Sequence, residues 1–181
     1  MKPVYVFLTT GFEEIEALGT VDVLRRAELE VKTVSLTAGK LVLGAHQVAV
    51  MADLLFEEVD CAQAQMLVLP GGTTKFNEHA AMKQQLLAFA QQGGKVAAIC
   101  ASPMVLGSLG LLKGKSATCY PGFEKHLDGA TLKTSEAVVV DGNLTTGRGP
   151  GLTLEFALNL VEQLAGRQRR DAVARGLLLL A

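Results

Sequence analysis

Three short runs in this chain, Val4 to Leu8, Met66 to Leu69 and Val96 to Ile99, are apolar or aromatic at every position. Each stops abruptly at turn-forming or small residues: Thr9-Thr10-Gly11, Pro70-Gly71-Gly72 and Cys100-Ala101-Ser102-Pro103. A strand that alternates apolar and polar residues buries one face, whereas a strand apolar throughout is buried on both and needs helices above and below it. Helical patterns fall where they are needed. Ile15, Leu18, Val21 and Leu24 recur after the first run, Met82 to Gln92 ends at Gly93-Gly94, a helix opens near Ser102-Pro103, and Leu152 to Leu164 follows Gly149-Pro150-Gly151. Glu30 to Leu36 reads as a further strand. The rhythm predicts an α/β fold of three layers, a mostly parallel sheet with helices on both faces. Two hairpins are added to it. One pairs Leu41 to Leu43 with Gln47 to Val50 around Gly44-Ala45-His46 and is expected to be appended to the sheet; the other pairs Val138 to Val140 with Leu144 to Thr146 around Asp141-Gly142-Asn143.

With 181 residues, 49% of them hydrophobic, and no repeat, low-complexity stretch or long linker, the chain reads as a single domain over 1–181. A formal charge of -1 gives no field to gather nucleic acid or an anionic membrane, so neither is expected as a partner. Cys61, Cys100 and Cys119 are odd in number and widely spaced. They fit neither a disulfide framework nor a structural zinc site and point to a reducing, cytoplasmic setting. The start lacks the apolar region of a secretory signal, and the uncharged stretch from Val96 to Leu112 is too interrupted for a membrane span. His46, His79 and His126 have no ligand spacing to one another or to a cysteine, so no metal and no cofactor is expected.

Parallel sheets place their sites at the carboxyl ends of the strands, which directs attention to 9–16, 70–75, 100–103 and 147–151. Cys100 stands where a buried strand turns sharply into a helix, an arrangement that resembles a nucleophile elbow. Free backbone N–H groups and the positive end of a helix dipole there favour thiolate over thiol. A lone thiol is as a rule a small core residue, and Cys61 and Cys119 are read that way. Glu13, Glu14 and Glu16 open the first helix, where acidic residues complement the dipole. Glu14 is expected to be solvated, with Glu13 at most a supporting residue. Glu16, on the flank of the Ile15 stripe, is expected to turn inward, gain a raised pKa beside the thiolate and act as a proton donor. Gly71 and Gly72 allow backbone N–H groups to face a cleft as an oxyanion site requires. The acidic first loop argues against a flavin phosphate there. Arg148 is expected to pair with a carboxylate or to meet an anion, and the Arg167, Arg169, Arg170 cluster with the Leu177 to Leu180 tail reads as a solvated face followed by a docking segment.

Taken together, Gly11-Phe12-Glu13-Glu14-Ile15-Glu16, Val68-Leu69-Pro70-Gly71-Gly72, Ala97-Ala98-Ile99-Cys100-Ala101 and Arg148-Gly149-Pro150-Gly151 resemble the DJ-one/ThiJ/PfpI superfamily over nearly the whole chain. The resemblance implies a flavodoxin-like sandwich, usually a homodimer. It also implies Cys100 as the reactive cysteine, Glu16 as the carboxyl group bonded to it, and Gly71 and Gly72 as adjoining backbone. Ala101 and Tyr120 join the same oxyanion and substrate pocket. The activities implied are glutathione-independent conversion of 2-oxoaldehydes such as methylglyoxal, deglycation, chaperone-like activity and peroxide sensing through the cysteine, so the expected partners are a small aldehyde or peroxide and a second copy of the chain. Two departures matter. Tyr120 stands where many members carry histidine, and a phenol does not take up a proton near neutral pH as an imidazole does. Ala101 stands where the protease-like branch has histidine, which argues against peptidase activity.

Overall fold

The computed structural model describes residues 2–180. The strands are β1 (Val4–Leu8), β2 (Val31–Ser35), β3 (Leu41–Leu43), β4 (Ala49–Met51), β5 (Leu54–Leu55), β6 (Met66–Leu69), β7 (Lys95–Ile99), β8 (Ser116–Ala117), β9 (Thr131–Leu132), β10 (Val138–Asp141) and β11 (Leu144–Gly147). The helices are α1 (Glu14–Arg26), α2 (Ala80–Gln91), α3 (Pro103–Ser108), α4 (Thr153–Ala165) and α5 (Arg167–Gly176). A seven-stranded sheet runs in the order β10-β11-β7-β6-β1-β2-β5. Every neighbouring pair in it is parallel except β10 with β11, at one edge.

The pleat sorts the buried strands onto two cores. Val4, Val6, Met66, Val68, Ala97 and Ile99 face Val21, Val23 and Leu24 of α1 and Phe156, Leu160 and Val161 of α4. Tyr5, Phe7, Leu67, Leu69, Val96 and Ala98 face Met82, Leu86 and Phe89 of α2 and Val105 and Leu106 of α3. Neighbouring residues on one strand thus belong to opposite cores, and the result is the flavodoxin-like three-layer sandwich expected of strands apolar throughout.

Two local expectations are corrected. The β3–β4 hairpin is a separate two-stranded sheet and is not hydrogen-bonded to the main one; its second strand begins only at Ala49, because Gln47 occupies the turn with φ 66°. In α1 the three-residue spacing misidentifies the inner face. At about 100° per residue, steps of three fall behind by 60° each, so Ile15 and Leu24 point to opposite sides. Ile15 is 60% exposed and Leu18 is exposed, while Val21 and Leu24 of the same spacing are buried together with Glu14, Glu16, Ala17, Thr20 and Val23. The arginine cluster does more than solvate α5: Arg169 pairs with Glu28 at 2.9 Å and Arg170 with Glu162 at 3.2 Å, while Leu179 and Leu180 line an open groove together with Leu154 and Leu158 of α4.

Candidate active site

Cys100 follows the last residue of β7 with φ 66°, in the left-handed region. For a non-glycine residue this is a strained conformation, on the order of 1–3 kcal/mol, that persists only where surrounding bonds impose it. Those bonds are present. The Cys100 N–H donates to the carbonyl of Gly147 at 2.9 Å, its carbonyl accepts from the Tyr120 N–H at 2.9 Å, and the buried Ser102 hydroxyl donates to the Pro70 carbonyl. The elbow is therefore clamped to β11, to the segment after β8 and to the loop after β6, and the sulfur is held at the carboxyl edge of the sheet with only 8% of the residue exposed.

Glu16 reaches the same point from α1. Its residue is wholly buried, and Oε2 accepts the Gly71 N–H at 2.7 Å. Glu13 caps the helix, its Oε2 accepting the Glu16 N–H at 2.7 Å, and the Glu13 N–H donates to the Gly71 carbonyl at 2.9 Å. Both polar groups of Gly71 are thereby tied to the start of α1. A Cβ on Gly71 would stand 2.5 Å from the Cys100 Cβ, 2.7 Å from Glu16 Oε2 and 3.0 Å from the Cys100 sulfur. The missing side chain is the space in which the carboxyl and the thiol meet.

Burial pushes the Glu16 carboxyl up to about 7 against the opposing pull of the Gly71 amide and the thiol. The Cys100 thiol is pushed up to about 12, first by burial and then by the charge and hydrogen bond of Glu16, while the amides of Gly72 and Ala101 draw it down. The helix dipole invoked from the sequence is not what dominates, for α3 has only 6 residues. The Gly72 and Ala101 amides are what favour the thiolate; an ionised Glu16 opposes it, and a neutral Glu16 does not.

Gly72, Thr73, Thr74, Cys100, Ala101, Tyr120 and Phe123 line an open cleft of about 460 Å³ over the sulfur. No charged side chain is among them. Gly72 has φ 90°, and a Cβ there would lie 2.4 Å from the Glu13 nitrogen, so the loop admits only glycine. Tyr120 is 44% exposed at the cleft wall, and a Cβ on Gly149 would stand 3.1 Å from its ring. Gly71 differs from the expectation in one respect: its N–H is taken by Glu16, and the amides that face the sulfur are those of Gly72 and Ala101. Arg148 stands apart from the cleft lining and finds no carboxylate partner among the described residues; its N–H donates to the Ala137 carbonyl. Thr73, Thr74 and Phe123 were not singled out from the sequence. The two threonines lie in the loop that was, while Phe123 had no signal beyond being aromatic near Tyr120.

Glu14 is not solvated. It is 8% exposed, with Oε1 accepting the His46 N–H at 2.6 Å and Oε2 paired with His46 Nδ1 at 2.9 Å. Ligand atoms of Glu13, Glu14 and His46 lie within 4.8 Å of one another, a grouping the linear spacing concealed. Its observed role is a clamp: with the Gly11 N–H on the Leu43 carbonyl and the Ala45 N–H on the Phe12 carbonyl, at 2.8 Å each, it fastens the β3–β4 hairpin to the start of α1. Cys61 and Cys119 are buried in the α2–α3 core and do not line the cleft.

Comparison with known proteins agrees with this arrangement. The profile of the DJ-1/PfpI family matches residues 2–163. Protein dj-1beta of Drosophila melanogaster is 38% identical over 98% of this chain and 97% of its own length, and its crystal structure superposes with a TM-score of 0.94 over 99% of both chains. A deglycase from Pyrococcus abyssi is 34% identical over 82% of this chain and 90% of its own. A glutathione-independent glyoxalase from Caenorhabditis elegans is 30% identical over 92% and 90%. Sandwich, elbow and profile lead to one assignment, and this chain is a member of the DJ-1/PfpI family.

Proposed function

We propose that this protein is a cysteine-dependent, glutathione-independent enzyme acting on small 2-oxoaldehydes such as methylglyoxal, with a glyoxalase or deglycase outcome. The observation that carries the reading is the meeting of Glu16 and Cys100 beside the bare face of Gly71. Relatives named as a deglycase and a glutathione-independent glyoxalase support it, as does a cleft lined without charge, which suits a neutral aldehyde. The Cys100 proton passes to Glu16, and the sulfur adds to the aldehyde carbon. The resulting oxyanion is steadied by the Gly72 and Ala101 amides and takes up a proton to give a hemithioacetal. Glu16, again a carboxylate, removes the hydrogen from the former aldehyde carbon and returns it at the neighbouring carbon, giving a thioester. Water then releases the 2-hydroxy acid and restores the thiol. The sum is one aldehyde plus one water to one 2-hydroxy acid, with no external oxidant or reductant. Tyr120 and Phe123 wall the substrate; Glu13 holds the turn that presents Glu16, and Arg148 serves the backbone of the β11 loop.

The test is lactate formation from methylglyoxal without glutathione, present in the wild type and lost in Cys100→Ala. A second reading rests on the same geometry: a protonated Glu16 and two amides around one sulfur would also hold a sulfinate, as a peroxide sensor needs. Absence of lactate together with a gain of two oxygen atoms at Cys100 under mild peroxide selects it. We further propose a homodimer, supported by the apolar side chains left outward on α1 and the hairpin, with Ile15 60%, Leu41 62% and Met51 66% exposed. No helix of the described residues is long and apolar enough to cross a membrane, and three free cysteines suit the cytoplasm.

A further inference from the structure

Among the described residues, two buried side-chain polar atoms lack any hydrogen-bond partner: Glu16 Oε1 and Thr20 Oγ1. They are not scattered. Thr20 stands four residues after Glu16 on α1, which places both on one face of the helix about 5–6 Å apart at Cβ, and both residues are 0% exposed. Side chains on a helix lean toward its N-terminus, so Thr20 leans back over the turn that carries Glu16. The other carboxyl oxygen, Oε2, is engaged with Gly71 on the Cys100 side, which leaves Oε1 as the oxygen available to the rest of the helix face. A buried polar atom without a partner is costly. Two such atoms one turn apart are economically satisfied by a single water, the usual device for buried polar groups beyond each other's direct reach.

We infer that Thr20 is a positioning residue for the Glu16 carboxyl, its hydroxyl and Glu16 Oε1 jointly holding one buried water. The inference rests on the reading of Glu16 as the proton carrier, but the water site does not. Such a water fixes the carboxyl plane, so that Oε2 stays on Gly71 and beside the sulfur, and it gives the carboxylate a hydrogen bond that favours its charged form. Glu16 can then surrender its proton during turnover. The titratable groups facing it are Cys100, from the end of β7, and Glu13, from the start of its own helix; neither is altered by a change at Thr20.

The experiment uses the full chain with Thr20→Val, which keeps the shape and removes the hydroxyl, and Thr20→Ser, which keeps the hydroxyl. The rate of Cys100 alkylation by iodoacetamide is followed against pH. Loss of the hydrogen bond to the carboxylate raises the Glu16 pKa and keeps the carboxyl neutral to higher pH, so alkylation in Thr20→Val just above neutral pH is expected to run several-fold faster than in the wild type. Thr20→Ser is expected to restore the wild-type profile. Superimposable profiles for all three proteins, or equal shifts in Val and Ser, overturn the inference, the latter because packing alone would explain it. A crystal structure of the wild type gives a readout that needs neither variant to fold: a water within hydrogen-bond distance of both Oε1 and Oγ1 is expected, and dry atoms, or Thr20 bonded to the carbonyl of Glu16, refute it. If that water is found and no aldehyde is turned over, the proposed activity has failed and the positioning role has not.

Discussion

Cys61 and Cys100 share the property most often used to dismiss a thiol. Both are buried, and burial is the first cause pushing each up to about 12. Around Cys61 nothing opposes that shift: Asp60 adds to it, and the residue sits in an ordinary turn of 3-10 helix. Around Cys100 the amides of Gly72 and Ala101 pull the other way, the backbone is strained to φ 66°, and a carboxyl group pushed up to about 7 stands beside it. Burial alone does not separate a structural cysteine from a nucleophile. The groups around the sulfur are what differ between the two sites.

The comparison breaks if the two cysteines behave alike. Cys100→Ala is expected to lower lactate formation from methylglyoxal by more than about a thousandfold, whereas Cys61→Ala leaves it within about twofold. Iodoacetamide mapped by peptide mass is expected to label Cys100 well ahead of Cys61. Equal labelling would remove the distinction outright.

Glu16→Gln sharpens the comparison by separating proton transfer from thiol reactivity. Turnover is expected to fall about 10²- to 10⁴-fold with loss of the acid and base. Alkylation of Cys100 is expected to speed up, because the charge that raises the thiol is gone. Turnover and alkylation falling together would mean that Glu16 only shapes the pocket. Stability gives an independent readout. A carboxyl raised from 4.5 to about 7 binds more protons folded than unfolded between those values, so its contribution to stability is fully present below 4.5 and is lost as pH rises through about 7. Denaturant midpoints at pH 5 and pH 8 are expected to differ less in Glu16→Gln than in the wild type. Glu14, Asp53, Glu58 and Asp141 are shifted downward, so their contributions are lost as pH falls below the ordinary carboxylate range, outside this window.

Two glycines make the next pair. At Gly71 an added Cβ meets the Cys100 Cβ at 2.5 Å and Glu16 Oε2 at 2.7 Å, whereas at Gly151 nothing lies within 4 Å. Gly71→Ala is expected to cost about 1–3 kcal/mol and most of the activity, by parting the carboxyl from the thiol. Gly151→Ala is expected to stay within about 0.5 kcal/mol in the same urea titration. A tolerated Gly71→Ala would mean that the loop yields easily and that the site is less tightly assembled than its hydrogen bonds indicate.

Much of this frame was legible in the residues. Strands apolar at every position require two covered faces, and both cores are found. A cysteine at the stop of such a strand lands at the sheet's carboxyl edge wherever the helices pack. The apolar stripe is a partly misleading guide to Glu16: its burial comes from lying on the Ala17 and Thr20 side of α1, not from adjoining Ile15, which points outward. What escaped depends on long separations. The Gly71 N–H is claimed by a carboxyl 55 residues away and Glu14 by a turn 32 residues away, and no local pattern encodes either pairing. The upward push on the Cys100 thiol escaped as well, because it follows from how much water the assembled loops exclude.

The smallest effect concerns the other pairing that α1 makes, between Glu14 and His46. There the carboxylate, against the upward push of burial, is held below its ordinary range by hydrogen bonds to the His46 side chain and backbone, and the imidazole is raised above its own by the hydrogen bond and charge of Glu14. The signs are opposite: the Glu14 contribution is lost as pH falls through its lowered value, and the His46 contribution is lost as pH rises through its raised value, so the clamp is strongest between them. The imidazole side chain is 72% exposed, and solvent screens the pair. His46→Ala is therefore expected to leave the denaturation midpoint nearly unchanged while speeding hydrogen exchange at the amides of Gly44 and Ala45, which anchor the hairpin turn. Turnover by Cys100 is expected to persist, because Glu13 and Gly71 still hold the start of α1 to the site loop. Loss of turnover in His46→Ala would show that the two carboxylates act as one unit and that the hairpin belongs to the active site.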